Sequence, residues 1–387
     1  MVASGTVFDF EHVPERRASD SVKWNKYAGR DVIPLWIADM DFAAPPAVLA
    51  ALQGRVARGD LGYAEPWPEL VASALAYCRQ QYAWDIEAEW LTWLPGLVCG
   101  INLACRSVEG DVLTATPVYP PFLSAPGLSG RGLVRVPLRQ EGGRWGWDFA
   151  ALEAALTPEV RLLLLCHPHN PVGRAWDEEE LRALADFAAR HDLIVCSDEI
   201  HCDLVLDAGR RHLPFASLGT DAARRSITLM APSKTYNIAG LGCSLAIIPD
   251  PELRRRFRAA MRGIVPDVNV LGLTACAAAL SGAEAWRQSL LETLRGNRAA
   301  LEAAVAAMPG LAMGHVEATS LGWIDARGLG VDAPVAFFEA AGVGLSDGRD
   351  FGLPGWVRLN FGCSAALLAE ALGRMAKACQ ERAGVAL

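Results

Sequence analysis

Ser226-Ile227-Thr228-Leu229-Met230-Ala231-Pro232-Ser233-Lys234 is the stretch that decides how this chain folds. Its first five residues read as a short buried strand, Pro232 closes it, and a lysine stands just beyond the carboxyl end. An ammonium group at the end of a buried strand is unfavourable unless partners or chemistry account for it. Two more apolar runs end in the same manner. Val160 to Cys166 leads into Asn170-Pro171-Val172-Gly173, and Leu193 to Ser197 leads into Asp198-Glu199-Ile200-His201.

Working outward, Asp111 to Ala115, Gly132 to Leu138 and Cys243 to Ile248 read as further strands. Helical patterns separate the strands, one of them N-capped by Asp177 with Glu178 to Glu180 at its positive end. The alternation predicts an α/β fold around a largely parallel sheet, with ligands outside the carboxyl ends of the strands. From Glu284 the pattern changes: a long Ala/Leu/Arg-rich helix to about Met308, strand-like segments at Gly314 to Asp325 and Trp356 to Phe361, and a final helix from Ala365. The expected division is a large domain over residues 45–283 and a smaller α+β domain built from 1–44 and 284–387. The proline-marked N-terminal arm packs against the C-terminal part in this reading.

The composition narrows the function. A chain of 387 residues has room for two domains, and 36 basic against 44 acidic residues give a net charge of −8. No clustered Lys/Arg surface for nucleic acid is legible, and Arg254-Arg255-Arg256 reads as the solvated face of a helix. The ten cysteines form no Cys-x-x-Cys pair and mostly sit inside apolar runs, as small core residues of a reduced compartment do. With no apolar signal core near Met1, a cytoplasmic location is expected. Val268 to Ala283 is the longest apolar stretch; it falls short of a membrane span, contains Asn269 and Ser281, and reads as a buried interface helix.

Asn170, Asp198 and Lys234 at successive strand ends form the set needed to hold pyridoxal 5'-phosphate. The lysine forms the Schiff base, the aspartate pairs with the pyridine nitrogen, and the asparagine bonds the phenolic oxygen. His201 supports the ring oxygen or orients Asp198; alone, it reads equally well as a satisfied loop histidine. Gly96-Leu97-Val98, before a helix starting near Cys99, aims backbone N–H groups at a phosphate, and Ser233 adds a hydroxyl. Arg358, in Trp356-Val357-Arg358-Leu359-Asn360-Phe361, is a guanidinium on an apolar strand, suited to fork onto an amino acid's carboxylate or to form a structural ion pair. Gly240-Leu241-Gly242 lacks the third glycine of a dinucleotide loop, His167 and His169 lack a third metal ligand, and no Gly-x-Ser-x-Gly elbow occurs.

These motifs resemble the fold type I pyridoxal-phosphate enzymes of the aspartate aminotransferase superfamily, over nearly the whole chain. The nearest likeness is to the MalY/PatB branch of cystathionine β-lyase-like C–S lyases. It is carried by Phe8-Asp9 with Ser21-Val22-Lys23-Trp24, Pro34-Leu35-Trp36-Ile37-Ala38-Asp39-Met40-Asp41-Phe42, Thr116-Pro117-Val118-Tyr119-Pro120-Pro121-Phe122, Ser197-Asp198-Glu199-Ile200-His201 and Pro232-Ser233-Lys234-Thr235. The resemblance implies that the mostly parallel sheet has seven strands, that Tyr119 stacks on the cofactor ring and that Ala38 and Arg358 meet the substrate. It also implies that Tyr63 reaches the phosphate from a neighbouring subunit, making the active unit a homodimer. Departures from the pattern are Gly242, where many members carry a phosphate-binding arginine, Ser320 in place of a tyrosine, Gly322 in place of alanine and Asn25 in place of aspartate. Gly242 fits the lyase branch, which commonly lacks that arginine, and Ser320 is expected to enlarge or re-polarise the substrate pocket.

The implied reaction is β-elimination of a cysteine S-conjugate such as cystathionine, giving thiol, pyruvate and ammonia. An aminotransferase using the same cofactor site is the alternative, and a regulatory protein with secondary lyase activity is a third reading.

Overall fold

The computed structural model describes residues 8–17 and 19–384. Seven strands form the central sheet: β1 (Leu91–Leu94), β2 (Asp111–Thr116), β3 (Leu133–Pro137), β4 (Val160–Cys166), β5 (Ile194–Asp198), β6 (Ser226–Met230) and β7 (Ser244–Ile247). Their spatial order is β1-β7-β6-β5-β4-β2-β3. Only β7 runs antiparallel to its neighbours; β2 to β6 pair in parallel. β4, β5 and β6 are buried almost throughout, which is why they read as continuous apolar runs rather than alternating ones. The edge strand β1 had no counterpart in the sequence reading, since Leu91-Thr92-Trp93-Leu94 is too short to show a period.

Helices cover both faces. Glu178–Arg190 starts in a full capping box, with Asp177 accepting from the Glu180 N–H and Glu180 reaching back to the Asp177 N–H. Leu97–Ser107 begins at Leu97, ahead of the expected Cys99, because extended Gly96 turns the chain straight into the helix. Val270–Gly282, capped by Asn269, packs on Pro46–Arg58 and Pro68–Tyr82. No helix among the described residues is long and apolar enough to cross a membrane.

The C-terminal part carries a four-stranded sheet in which Leu321–Asp325 and Trp356–Asn360 pair antiparallel. Helices Glu284–Ala306 and Ala365–Ala383 pack together against it. The N-terminal arm joins this part through parallel pairing of Ile33–Pro34 with Val343–Gly344. The expected strand Gly314 to Asp325 is confined to Leu321–Asp325, with Ala312–Met313 as its partner. Between them Thr319 adopts φ +77°, and the Ala318 and Thr319 N–H groups bond to the Gly173 and Leu204 carbonyls. Glu317 turns inward to Arg174 and Arg210. Those bonds tie the segment to the large sheet's loops instead of to a neighbouring strand.

Candidate active site

The carboxyl ends of β4, β5 and β6 lie side by side, with Cys166 opposite Asp198 and Asp198 opposite Leu229. Adjacent parallel strands therefore bring Asn170, Asp198 and Lys234 to one place. They line a cavity of about 280 Å³ together with Ala38, Leu97, Val98, Tyr119, His201, Ser233 and Arg358. Of the residues expected to hold cofactor or substrate, Tyr63 alone lies elsewhere among the described residues. It is fully exposed, in a surface recess with Val268 and Asn269.

Each side chain is held by identifiable partners. Lys234 Nζ donates to the Ala38 carbonyl at 3.3 Å. Burial lowers its proton affinity, helped by the Arg358 charge and opposed by Asp39 and Asp198. Asp198 is 3% exposed and hydrogen-bonds through Oδ1 to the Ile200 N–H at 3.1 Å. Burial pushes its carboxyl up to about 7, with the Lys234 charge acting the other way. His201 is buried, and its Nδ1 has no partner among the described residues. Burial and the Lys234 and Arg358 charges bring its imidazole down to about 3, so it is neutral. It makes no hydrogen bond to Asp198 among the described residues, and it lines the cavity.

Arg358 is the most tightly built member. Nη1 donates to Asn170 Oδ1 at 3.0 Å, and Nη2 to the Trp36 carbonyl at 2.9 Å and Ser346 Oγ at 3.3 Å. Its guanidinium lies 4.7 Å from the Phe351 ring centroid, while Nε is buried without a partner. Burial lowers its proton affinity to about 10, still well within the charged range at neutral pH. No carboxylate pairs with it among the described residues, so the structural ion pair is not formed. Trp36, Ser346 and Phe351 were not legible as site residues, because they meet Arg358 only through tertiary closure.

The segment facing Lys234 is itself anchored. Asn237, at φ +52°, accepts from the Met40 N–H and donates to the Met40 and Phe42 carbonyls. Asn360 donates to the Ile37 and Asp39 carbonyls, and Ser320 Oγ donates to Asn360 Oδ1 at 3.2 Å. Ser320 thus stands behind the wall and is absent from the cavity lining. Gly242 has φ +53°, and a Cβ there would lie 2.7 Å from the Pro95 carbonyl oxygen. An arginine at this position is sterically excluded.

The cavity suits pyridoxal phosphate. Asp198 lines the cavity as a buried carboxyl and His201 Nδ1 is without a partner among the described residues, and the Leu97–Ser107 helix brings its N-terminal Leu97 and Val98 N–H groups beside Ser233 for a phosphate dianion. Tyr119, mostly buried, offers an aromatic face.

Comparison with known proteins places this site. Residues 30–375 match the family model "Aminotransferase class I and II". The Bacillus subtilis (strain 168) cystathionine β-lyase PatB is 37% identical, covering 95% of this chain and 98% of that protein. A crystal structure of OvoB is 51% identical with a TM-score of 0.94, covering 96% of this chain and 99% of that one. Treponema denticola cystalysin, whose crystal structure contains pyridoxal 5'-phosphate, is 31% identical with a TM-score of 0.93, covering 97% and 100%. The chain belongs to the aminotransferase class I and II family of pyridoxal-phosphate-dependent fold type I enzymes, on the MalY/PatB branch.

Proposed function

We propose that this protein is a carbon–sulfur β-lyase that converts L-cystathionine or a related cysteine S-conjugate into a thiol, pyruvate and ammonia. The observation that carries the reading is a buried lysine of lowered proton affinity sharing one cavity with an ion-pair-free guanidinium. The names of PatB and the C–S lyase structures among the relatives support the same chemistry.

Arg358 receives the substrate carboxylate, held in aim by Asn170, Trp36 and Ser346. Lys234 then takes the Cα proton, its burial lowering the amine's hold on a proton of its own. Pyridoxal phosphate, when bound, supplies the electron sink that makes this proton removable. Asp198 would serve its ring nitrogen, Asn170 and His201 its ring oxygen, Tyr119 one ring face, and Leu97, Val98 and Ser233 its phosphate. Lys234 holds the abstracted proton next to the departing sulfur at Cβ. Fixing the carboxylate at Arg358 and the amine near Lys234 leaves the bond to be broken one orientation, which is the protein's main contribution.

Tyr63 and its recess support a homodimer in which each subunit completes the other's phosphate site. The ten free thiols support a reduced, cytoplasmic setting, which cell fractionation tests; recovery outside the cytoplasm contradicts it. The large and small domains are assigned to 45–283 and to 1–44 with 284–387; residues 1–7, 18 and 385–387 of the latter lie outside the described residues. Limited proteolysis near either boundary tests the division. Lys234→Ala is expected to abolish both turnover and the visible absorbance of the lysine-linked cofactor. Turnover retained by that variant overturns the assignment.

A further inference from the structure

At the end of the sheet opposite the active site, a recess of about 550 Å³ is lined by five arginines. They come from four parts of the chain. Arg106 is in the last turn of the Leu97–Ser107 helix, Arg131 precedes β3, Arg161 lies at the start of β4, and Arg255 and Arg256 belong to the helix Pro251–Met261. Ser107 to Glu109, just before β2, and Ile194, the first residue of β5, also line it. The recess therefore sits at the amino ends of β2 to β5, whereas Asn170, Asp198 and Lys234 gather at the carboxyl ends of β4 to β6. Five guanidinium groups in one place stand out in a chain of net charge −8.

Most of that charge is uncommitted. Arg255 is neutralised by a two-point pair with Glu252, at 2.7 Å through both Nε and Nη2. Arg106, Arg131, Arg161 and Arg256 form no ion pair among the described residues, and the first three bond backbone carbonyls alone. Arg106 Nη2 donates to Leu128 and Arg131 Nε to Cys105, both at 3.3 Å, and Arg161 Nη1 donates to Pro158 and Val160. Each of these guanidiniums keeps two nitrogens without a partner among the described residues. Arg256 Nε is buried and unpartnered, a costly state that a bound acceptor relieves. The stem of Arg161 lies against the turn at Gly110, φ +133°, where a Cβ would come within 2.6 Å of Arg161 Cγ. The carboxylates nearby do not answer these cations. Asp111 accepts from the Gly132 N–H at 2.8 Å, Asp192 is 95% exposed and reaches Arg225 at 3.7 Å, and Glu109 is exposed on the lining with no ion pair among the described residues.

We propose that this recess is a binding site for a compact anion carrying several phosphates in a row, an oligophosphate or the phosphate tail of a nucleotide. A guanidinium forks onto phosphate oxygens in two parallel bonds, and four uncommitted forks from separate elements are more than a single phosphate engages. The volume lies in the range of small-molecule sites. A nucleic-acid strand fits less well, since beyond the recess its remaining phosphates face a chain of net charge −8. The site is separate from the cofactor-phosphate subsite proposed at Leu97, Val98 and Ser233, which lies at the other end of the Leu97–Ser107 helix. It does not depend on which reaction the active site performs.

The test titrates the pyridoxal-phosphate-loaded protein calorimetrically with tripolyphosphate and with inorganic phosphate, the cofactor keeping its own phosphate subsite filled. Tripolyphosphate is expected to bind at least about tenfold tighter than phosphate, and more weakly as salt rises. Arg131→Gln and Arg161→Gln should each weaken tripolyphosphate binding about tenfold, the effect of one lost charged hydrogen bond. Should Arg131→Gln fail to fold, the exposed Arg161 carries the test alone. Arg358→Ala, which removes the cation of the active-site cavity, should leave tripolyphosphate binding unchanged. ATP distinguishes the two sources: binding tighter than tripolyphosphate assigns a nucleotide, and weaker binding a free phosphate chain. Equal affinity for phosphate and tripolyphosphate overturns the proposal. So does binding indifferent to the Arg131 and Arg161 substitutions, binding lost in Arg358→Ala, or preference for a single-stranded oligonucleotide over both probes.

Discussion

Arg358 Nη1 donates to Asn170 Oδ1 at 3.0 Å, joining the residue proposed to receive the substrate carboxylate to the one proposed to serve the cofactor ring. Both are buried, at 5% and 4% exposure, so a group left without its partner there is costly. Asn170→Ala should leave the guanidinium half-anchored and raise KM for the amino-acid substrate by roughly tenfold to a hundredfold, the range of a lost hydrogen bond to a charged group. Arg358→Ala should do at least as much. The two together should cost far less than the product of their separate effects, which a double-mutant cycle on kcat/KM reads directly; a multiplicative result removes the coupling.

The raised proton affinity of Asp198 has a consequence for stability. A carboxyl held at about 7 in the fold and near 3.8 in the unfolded chain stabilises the native state while protonated below the lower value. That contribution is lost as pH rises towards about 7. Without cofactor, wild-type protein should therefore lose stability relative to Asp198→Asn between pH 4 and pH 7, by of the order of 2–4 kcal/mol, and the difference should level off above. Glu199 is also pushed up to about 7 by burial, but it is present in both proteins. Denaturant unfolding across this pH range measures the difference, and a pH-independent one contradicts the account.

Gly242→Arg should not recover a phosphate ligand. The position needs φ +53°, and any Cβ meets the Pro95 carbonyl oxygen at 2.7 Å. The expected outcome is a loss of about 1–3 kcal/mol in stability with no gain in cofactor affinity. Tighter cofactor binding by this variant would contradict the steric argument.

Tyr63 makes the opposite case, a residue with no role in the fold of its own subunit. Since it is fully exposed, Tyr63→Phe should leave the unfolding temperature within about one degree of wild type, as surface changes do. Loss of a hydroxyl bond to the phosphate should nevertheless weaken cofactor binding about tenfold, as measured by fluorescence titration. Unchanged affinity would place the residue outside the neighbouring site.

The strand ends were legible in the sequence because burial on both faces makes β4, β5 and β6 continuous apolar runs, so the polar residues that follow stand out. Asn170, Asp198 and Lys234 needed no tertiary information beyond that. The surroundings of Arg358 did need it. Trp36 contributes a backbone carbonyl, Ser346 a hydroxyl and Phe351 a ring face, and none of these leaves a periodic or motif signal. The same holds for Ser320: its departure from tyrosine is visible in sequence, but its contact with Asn360, behind the wall, is not. The segment before Leu321 read as strand because its composition allows one. The inward salt bridges of Glu317 and the positive φ of Thr319 are properties of the closed fold.

The most direct test of the lyase chemistry is turnover of L-cystathionine by the purified, cofactor-loaded protein, following pyruvate and free thiol together. Equal release of both without an added keto acid is the predicted result. Absence of both, with the cofactor passing to its amine form on adding amino acids, would contradict elimination and identify an aminotransferase instead.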